Sequence, residues 1–588
     1  MVNRGYFDMD SVERFLQASL QLLYDPMSLG GVASAAQRLI DAVKRNEKII
    51  IYGDYDVDGV TSTALLTRIL TDLGGRVSYF VPNRVTDGYG LNTRNIRQIA
   101  RAGSNVLVTV DCGINALEEV RLAQQLGMDV IITDHHEPKI EDDIDDYDYV
   151  FQSNLFDFAL EVGNGDGKLS GFNVILPPAY AVINPKLGHY PFSDLAGVGV
   201  AFKLAHGIIK LARDQNLEKA FEIDLKDHLD LVALGTIADA VPLRDENRIL
   251  AKAGLAVLTN TKKAGLHKLI EIARLKRMDV SSVVFGLAPR INAAGRLAEA
   301  RKAVELLLTP SLTKAELIVR ELDDINRERQ RVERETFKSA RESFEKYLNI
   351  ELPDTDRLPG GLRNYMPDSP NVIVLADDTW NPGVIGIVAS RMVERYYLPS
   401  VIIALQGDSG KGSCRSTRDF HIFDALRQCS HLLNGYGGHR VAAGLTISRD
   451  KVDTLRDSLN AIAGATLSED DFIPVLDIDA EISLKECTVD FGELLEKCEP
   501  HGQSNPRTSF IIRAVKLVED PTVLKEKHVK LCVEQHGEYR KIIAFNWADR
   551  LPEIVMWQRM DIVVHPYLNY YRSEASLELQ LIDAKESL

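Results

Sequence analysis

The sequence predicts an α/β protein with a mainly parallel sheet, a second smaller α/β unit and a C-terminal β-barrel. Three observations predict it. Short apolar runs such as KIIIYG, NVLVTV and MDVIIT alternate with helical patterns, and each run ends in polar residues. A charged stretch from about 311 to 348 contains neither Pro nor Gly, so it reads as one long helix. Beyond about 470, short β-like runs dominate: TSFIIRAVKLV, HVKLCVEQ, RKIIAFNW and MDIVVHPYLNYY.

In order along the chain, residues 1–45 read as a helical segment, with helical spacing in SVERFLQASLQLL and SAAQRLIDAV. Residues 46–310 form the first α/β domain. Its pattern is interrupted at 140–176, where six of the eight residues in Glu141–Asp148 are acidic and the Gly-rich VGNGDGKLSGF follows. That composition predicts a solvated insertion. HLDLVALGTIADAVPL and FGLAPRINAAGRL read as helices. The connecting helix covers 311–350. LPDTDRLPGGLRNYMPDSP, rich in Pro and Gly, reads as a loop. A second α/β domain spans 351–465, opening with NVIVLADDTW and closing with GYGGHRVAAGLTI and a helix near 450–463. Residues 466–588 form the barrel.

Composition narrows the function classes. With 588 residues at about 150 per domain, roughly four domains are expected. Hydrophobic residues make up 45% and charged residues 26%, as in ordinary globular chains. No run approaches the ~18 apolar residues of a membrane helix, and MVNRGYFDMDS has no apolar core of a secretory leader. The six cysteines form no C-x-x-C pair, so neither a disulfide scaffold nor a zinc ribbon is expected, and a cytoplasmic location fits. The net charge of -16, from 69 basic and 85 acidic residues, argues against non-specific coating of nucleic acid. It permits a local basic groove and clustered carboxylates.

The chemistry gathers at the strand ends, where open α/β sheets bind their ligands. GDYDVDG places Asp54, Asp56 and Asp58 in a turn after a strand. Alternate carboxylates there can converge on a hard cation, and the helix start beyond Gly59 can receive an anion. An EF-hand is disfavoured, because position 12 counted from Asp54 is Leu65 rather than Glu. Asp111 follows VLVTV, and Asp134, His135 and His136 follow DVIIT. Asp239 stands among apolar residues and needs a partner, since burying an unpaired carboxylate is costly. Taken singly, each of these also fits a turn, cap or surface role. Together they offer a mixed Asp/His set suited to Mn²⁺, with Mg²⁺ also possible. Two such ions could clamp a phosphoryl displacement.

DYDVDG, VTVDCG, TDHH and GTIAD, in this order, resemble the four motifs of the DHH phosphoesterase superfamily. APRINAAGRL, WNPGVIGIVASRMVERY, GSCRS and GYGGHRVAAGLT are similar to segments of its RecJ family, bacterial single-strand-specific 5′→3′ DNA exonucleases. The resemblance covers roughly 46–450. It implies a DHH-type catalytic domain joined by the long helix to a DHHA1-type domain, and an OB-like barrel after it.

The resemblance also implies roles. Asp54, Asp56, Asp58, Asp111, His135 and Asp239 match metal ligands for two Mn²⁺ or Mg²⁺ ions, with Asp111 bridging. Asp111, His135 and His136 match catalytic positions, with His136 touching phosphate or the second ion. His136, Arg290, Arg296, Ser413, Arg415, Ser416, Gly437, Gly438 and His439 match substrate-binding positions. Gly437 and Gly438 would let backbone approach a phosphate. Asn381 stands after Trp380 where the family often has His. The expected activity is 5′→3′ degradation of single-stranded DNA to 5′-mononucleotides in recombination and repair, by a monomer that threads the strand between its two α/β domains. Tyr567, Tyr570 and Tyr571 are candidates for stacking bases, beside barrel-core or surface roles. Single-strand-binding protein and a helicase are the implied partners, and no membrane is. The alternatives are a DHH phosphodiesterase for short oligoribonucleotides or cyclic dinucleotides, and a catalytically inactive scaffold. Locally the charge reverses: residues 405–445 hold five basic residues (Lys411, Arg415, Arg418, Arg427, Arg440) against three acidic ones (Asp408, Asp419, Asp424).

Overall fold

The structure is a computed structural model that describes residues 2–83, 87–88, 90–140, 168–169, 172–297, 300–355, 357–571 and 574–587. Most of the acidic insertion expected at 140–176 therefore lies outside the described residues. The short strand Lys139–Ile140 stands at its start, and Lys168–Leu169 and Phe172–Ile175 lie in its last part. The chain divides into two units. One holds Met1–Gly295, Glu299–Arg320 and Asp477–Leu588, and the other holds Arg296–Ala298 and Glu321–Leu476.

The first unit is built on a parallel sheet. Its strands are ordered Arg76–Phe80, Lys48–Gly53, Val106–Val110, Asp129–Thr133 and Ala181–Ile183. The inner strands are short apolar runs because helices cover both faces, and Val106–Val110 is buried throughout, whereas the edge strand Arg76–Phe80 is only half-buried. Ile50 and Tyr52 point into a cluster with Leu91, Ile96, Leu107, Val130 and Ile132. Ile49 and Ile51, on the opposite face, are fully buried as well. The order matters for function. The chain leaves the central strand Lys48–Gly53 to one side, then crosses to Val106–Val110 on the other. Such a reversal opens a crevice at the carboxyl ends of these two strands. DYDVDG follows one of them and Asp111 the other.

Helix Val57–Asp72 packs under the sheet and is buried along almost its whole length. Helices Gly197–Asp214, Leu229–Ala238 and Asp245–Thr259 complete the layer. In the same unit the C-terminal strands close into a barrel. Phe510–Leu517 pairs with Met560–Tyr571, which pairs with Glu574–Glu586. Glu538–Ala544 and His528–Gln535 follow, and Glu534 and Val533 return to Lys516 and Leu517. Closure removes the free edges that such short strands would expose. Ile512, Leu531, Ile542, Ile562 and Leu581 fill its interior. Tyr567 and Tyr570 donate their hydroxyls to Glu578 and Glu496.

The second unit has the sheet order Leu433–His439, Ala442–Ser448, Ser409–Arg415, Ser400–Gln406 and Ile373–Asp377, parallel only between the last two. Helices Ile385–Tyr396 and Val452–Thr466 pack against it. The expected long helix is present as Leu312–Leu348, 37 residues. Ion pairs such as Arg331 with Glu328 and Glu335 lace its exposed side. Among the described residues no helix is long and apolar enough to cross a membrane.

Candidate metal centre and phosphate-binding face

The strand-end carboxylates converge. Asp54, Asp56 and Asp111 bring ligand atoms within 4.8 Å of one another, and so do Asp58, His135 and Asp239. These two triads share no residue. They are joined where His135 Nε2 lies 3.2 Å from Asp111 Oδ1 and 3.7 Å from Asp239 Oδ2. A third grouping, Asp111, His135 and His136, meets the same distance limit.

Local structure explains how each side chain is aimed. Asp56 caps helix Val57–Asp72, accepting from the Gly59 amide. Asp58, in the first turn of the same helix, accepts from the Gly197 and Val198 amides at 2.6 and 2.8 Å. Those amides open helix Gly197–Asp214, whose N-terminus favours negative charge. Asp111 has φ of +60°, a left-handed conformation uncommon for a non-glycine residue. Its amide donates to the Thr133 carbonyl, tying the ends of two strands together. Asp239 closes helix Leu229–Ala238.

Asp134 does something different from its neighbours. It is fully buried and accepts from the amides of Ile114, His135 and His136, and its Oδ1 lies 2.7 Å from His136 Nδ1. Asp134 stands at a strand end as Asp111 does, but its oxygens serve to orient the double histidine.

The electrostatics follow from this crowding. Burial, then the neighbouring Asp56, pushes Asp58 up to about 7. Burial, then Asp58 and Asp56, pushes Asp239 up to about 9. Asp111 is raised well above the usual carboxylate range by burial and by the charges of Asp58, Asp56, Asp239 and Asp54. Burial and the adjacent His136 depress His135 to about 3, so its imidazole is neutral and can offer a lone pair. Burial disfavours the charged form of His136, but the hydrogen bond to Asp134 outweighs it and raises that pKa. Burial likewise opposes ionisation of Asp134, and its bond to His136 overcomes that and lowers it. Several carboxylates cannot all ionise at this spacing without cations among them. Oxygen donors with one neutral imidazole suit Mn²⁺ or Mg²⁺, so the residues fit a pair of such ions.

Four glycines and one asparagine shape the centre, and sequence reasoning gave none of them this task. A Cβ on Gly59 would lie 2.6 Å from the Asp54 amide nitrogen. One on Gly197 would lie 2.7 Å from Asp111 Oδ1, and one on Gly235 would lie 2.9 Å from Asp58 Oδ1. Helix Ala288–Leu297 supports the DYDVDG turn from outside. Asn292 Oδ1 accepts from the Val57 amide at 3.1 Å, and Gly295 packs where a Cβ would meet the Tyr55 carbonyl at 2.7 Å. Arg290, on the same helix, donates to the Gly286 carbonyl.

In the second unit, strand register assembles another group. Ser413, Gly444 and Gly437 are aligned across three strands, and so are Arg415, Ala442 and His439. Directly paired residues share a face, so Ser413, Arg415 and His439 point the same way over a floor of small residues. Nothing lies within 4 Å of a Cβ built on Gly437, so that floor is open. Gly438 serves the hairpin instead: its φ is +146°, and a Cβ would meet the Ala442 carbonyl oxygen at 2.5 Å. Ser416 also departs from the group, donating its hydroxyl to the Phe420 carbonyl. Arg415 donates to Ser413 Oγ at 3.3 Å and to the Cys414 carbonyl at 2.8 Å. The first turn of helix Ile385–Tyr396, just after its entry loop, borders this face, since a Cβ on Gly386 would lie 3.1 Å from Ser413 Oγ. Arg296 donates to the Gly383 carbonyl in that loop at 3.1 Å, and Asn381 accepts from the Gly383 amide at 2.7 Å.

Comparison with known proteins identifies the family. Three family models match: the DHH family N-terminal domain over residues 48–154, the DHHA1 domain over 369–465 and the RecJ OB domain over 478–583. The chain is 36% identical to the single-stranded-DNA-specific exonuclease RecJ of Bacillus subtilis, covering 100% of this chain and 67% of that protein. It is 34% identical to the Escherichia coli protein of the same name, covering 98% and 93%. Among solved structures, RecJ of Thermus thermophilus in complex with Mn²⁺ matches with a TM-score of 0.74 at 28% identity, covering 100% of this chain and 75% of that one. The Mg²⁺ complex of RecJ from the same organism matches with a TM-score of 0.71 at 27% identity, covering 100% and 74%. The chain belongs to the RecJ family of single-stranded-DNA-specific exonucleases.

Proposed function

We propose that this chain is a metal-dependent exonuclease that degrades single-stranded DNA 5′→3′ to 5′-mononucleotides, in recombination and repair. The observation that carries the reading is the pair of donor triads joined through the 3.2 Å approach of His135 to Asp111. Asp54, Asp56, Asp58, Asp111, His135 and Asp239 hold two Mn²⁺ or Mg²⁺ ions. Such ions, when bound, supply Lewis acidity at the scissile phosphate and ease the deprotonation of water.

The chain's own groups do the positioning. Asp111 belongs to one triad and touches the other, so it sets their separation. His135 presents a neutral imidazole. His136, kept on its donor form by Asp134, hydrogen-bonds a phosphate oxygen as negative charge builds there. In the second unit Arg415 grips the 5′-terminal phosphate, with Ser413 and His439 as further donors. The open floor at Gly437 admits the phosphate where a side chain would fill the space. Arg290 and Arg296 add positive charge along the strand. The barrel supplies a further electrostatic and stacking grip, in the manner of other single-strand-binding barrels. This terminal barrel favours long strands over dinucleotides as substrate. The chain works as a monomer in the cytoplasm, alongside single-strand-binding protein and a helicase.

A nuclease assay on 5′- and 3′-labelled single and double strands, with and without Mn²⁺, tests this reading. Mn²⁺-dependent release of 5′-label from single strands alone is expected. Intact single strands with either metal would sink it.

A further inference from the structure

Phe285 is 78% exposed, although the helix that carries it is firmly packed. It lies in the π-helical turn Ser282–Leu287, which runs directly into helix Ala288–Leu297. Pro289 accounts for the wide turn. It has no amide hydrogen to give the Phe285 carbonyl, and its ring would clash with that carbonyl in a regular α-turn. Val283, Leu287, Ile291 and Ala294 are buried, and Gly286 packs so tightly that a Cβ would lie 3.0 Å from Leu275. The helix is therefore locked in place while the Phe285 ring stands in solvent.

A single exposed apolar side chain is commonplace and needs no explanation. The position of this one is what matters. Phe285 lies in the π turn, four residues before Pro289 and seven before Asn292. Asn292 anchors the helix that follows at the metal centre, because it holds the Val57 amide between Asp56 and Asp58. At no more than about 1.5 Å of rise per residue, Phe285 stands within about 10 Å of Asn292 along the axis. That is one to two nucleotide steps of an extended strand.

We propose that Phe285 is a stacking platform for one unpaired nucleobase of the strand engaged at the metal centre. The inference rests on the exonuclease reading above and adds a residue that selects single strands. Every base has a π-face, so the contact tolerates any sequence. Bases inside a duplex already stack on their neighbours and have no free face to offer.

The test measures steady-state hydrolysis of a 5′-phosphorylated thymidine oligomer with Mn²⁺. Phe285→Ala should raise KM about tenfold with kcat little changed. Phe285→Trp should restore KM, and Phe285→Leu, apolar but without a π-face, should behave like the alanine variant. One abasic position walked along the oligomer should raise the wild-type KM by a similar factor at a single site, and that penalty should vanish in Phe285→Ala. An unchanged KM in Phe285→Ala, a leucine variant as good as tryptophan, or an abasic penalty that persists in the variant would each overturn the proposal. Hydrolysis by the wild type upholds the exonuclease reading whatever the variants do. Its absence fails that reading and this one with it.

Discussion

His135 Nε2 stands 3.2 Å from Asp111 Oδ1, and this approach links one donor triad to the other. Asp111→Asn should therefore disable the centre while sparing the fold. Asn is among the residues that tolerate the left-handed φ of +60° found here. We expect kcat to fall by about 10³ or more, with an unchanged circular dichroism spectrum. Near wild-type turnover would remove Asp111 from the machinery.

Chelation should reveal the crowded carboxylates. Asp58 and Asp239 are held at about 7 and about 9 in the folded protein, above their ordinary 3.8. Without cations the native state keeps protons that the unfolded chain has released. The stability these groups contribute is complete below about pH 4 and is lost as pH rises through the folded values. Bound Mn²⁺ replaces those protons and cancels the loss. The gap in Tm between Mn²⁺ and EDTA should therefore widen from about pH 6 to about pH 9. A constant or shrinking gap in thermal denaturation would contradict the assignment.

Gly59→Ala should be damaging out of proportion to its size. The new Cβ would lie 2.6 Å from the Asp54 amide nitrogen and 2.7 Å from its Cα, and backbone cannot rotate away. Displacing Asp54 by a fraction of an ångström should lower kcat/KM by about 10². Mn²⁺ affinity, followed by isothermal titration calorimetry, should weaken with it.

Arg415→Lys separates grip from chemistry. A lysine keeps the charge but loses the planar fork that holds a phosphate through two bonds. KM for 5′-phosphorylated strands should rise by about tenfold, with a smaller change for 5′-hydroxyl strands. Equal effects on both would place Arg415 away from the terminal phosphate.

Arg248→Met tests how the barrel is fastened. The guanidinium is almost wholly buried and donates to the carbonyls of Phe15, Lys497, Cys498, Glu499 and Pro500. It joins an N-terminal helix, helix Asp245–Thr259 and the entry to the barrel. Removing it strands several carbonyls without donors, which should cost about 3 kcal/mol or more in urea denaturation.

What the sequence determined by itself was local. A buried run of KIIIYG or VLVTV must be a covered strand, and the polar residues after it must emerge at a strand end. Alternate aspartates in a turn and paired histidines after a strand are visible as chemistry before any fold is known. The uninterrupted 311–348 stretch announced a helix in the same way, because helix formation depends on near neighbours.

The tertiary structure decided which of these groups meet. The strand order brings Asp111 beside the turn at Asp54–Asp58, and that order depends on crossovers no local pattern records. It assigned Asp134 to orienting His136, although Asp134 and Asp111 occupy similar strand-end positions in the sequence. It made Gly197 and Gly235 neighbours of carboxylates more than 80 residues away, where only a missing Cβ leaves room. It also left Phe285 in solvent at the start of the helix that Asn292 fixes to the centre. Packing, hydrogen-bond satisfaction and charge crowding act between residues close in space, so only the fold could settle them.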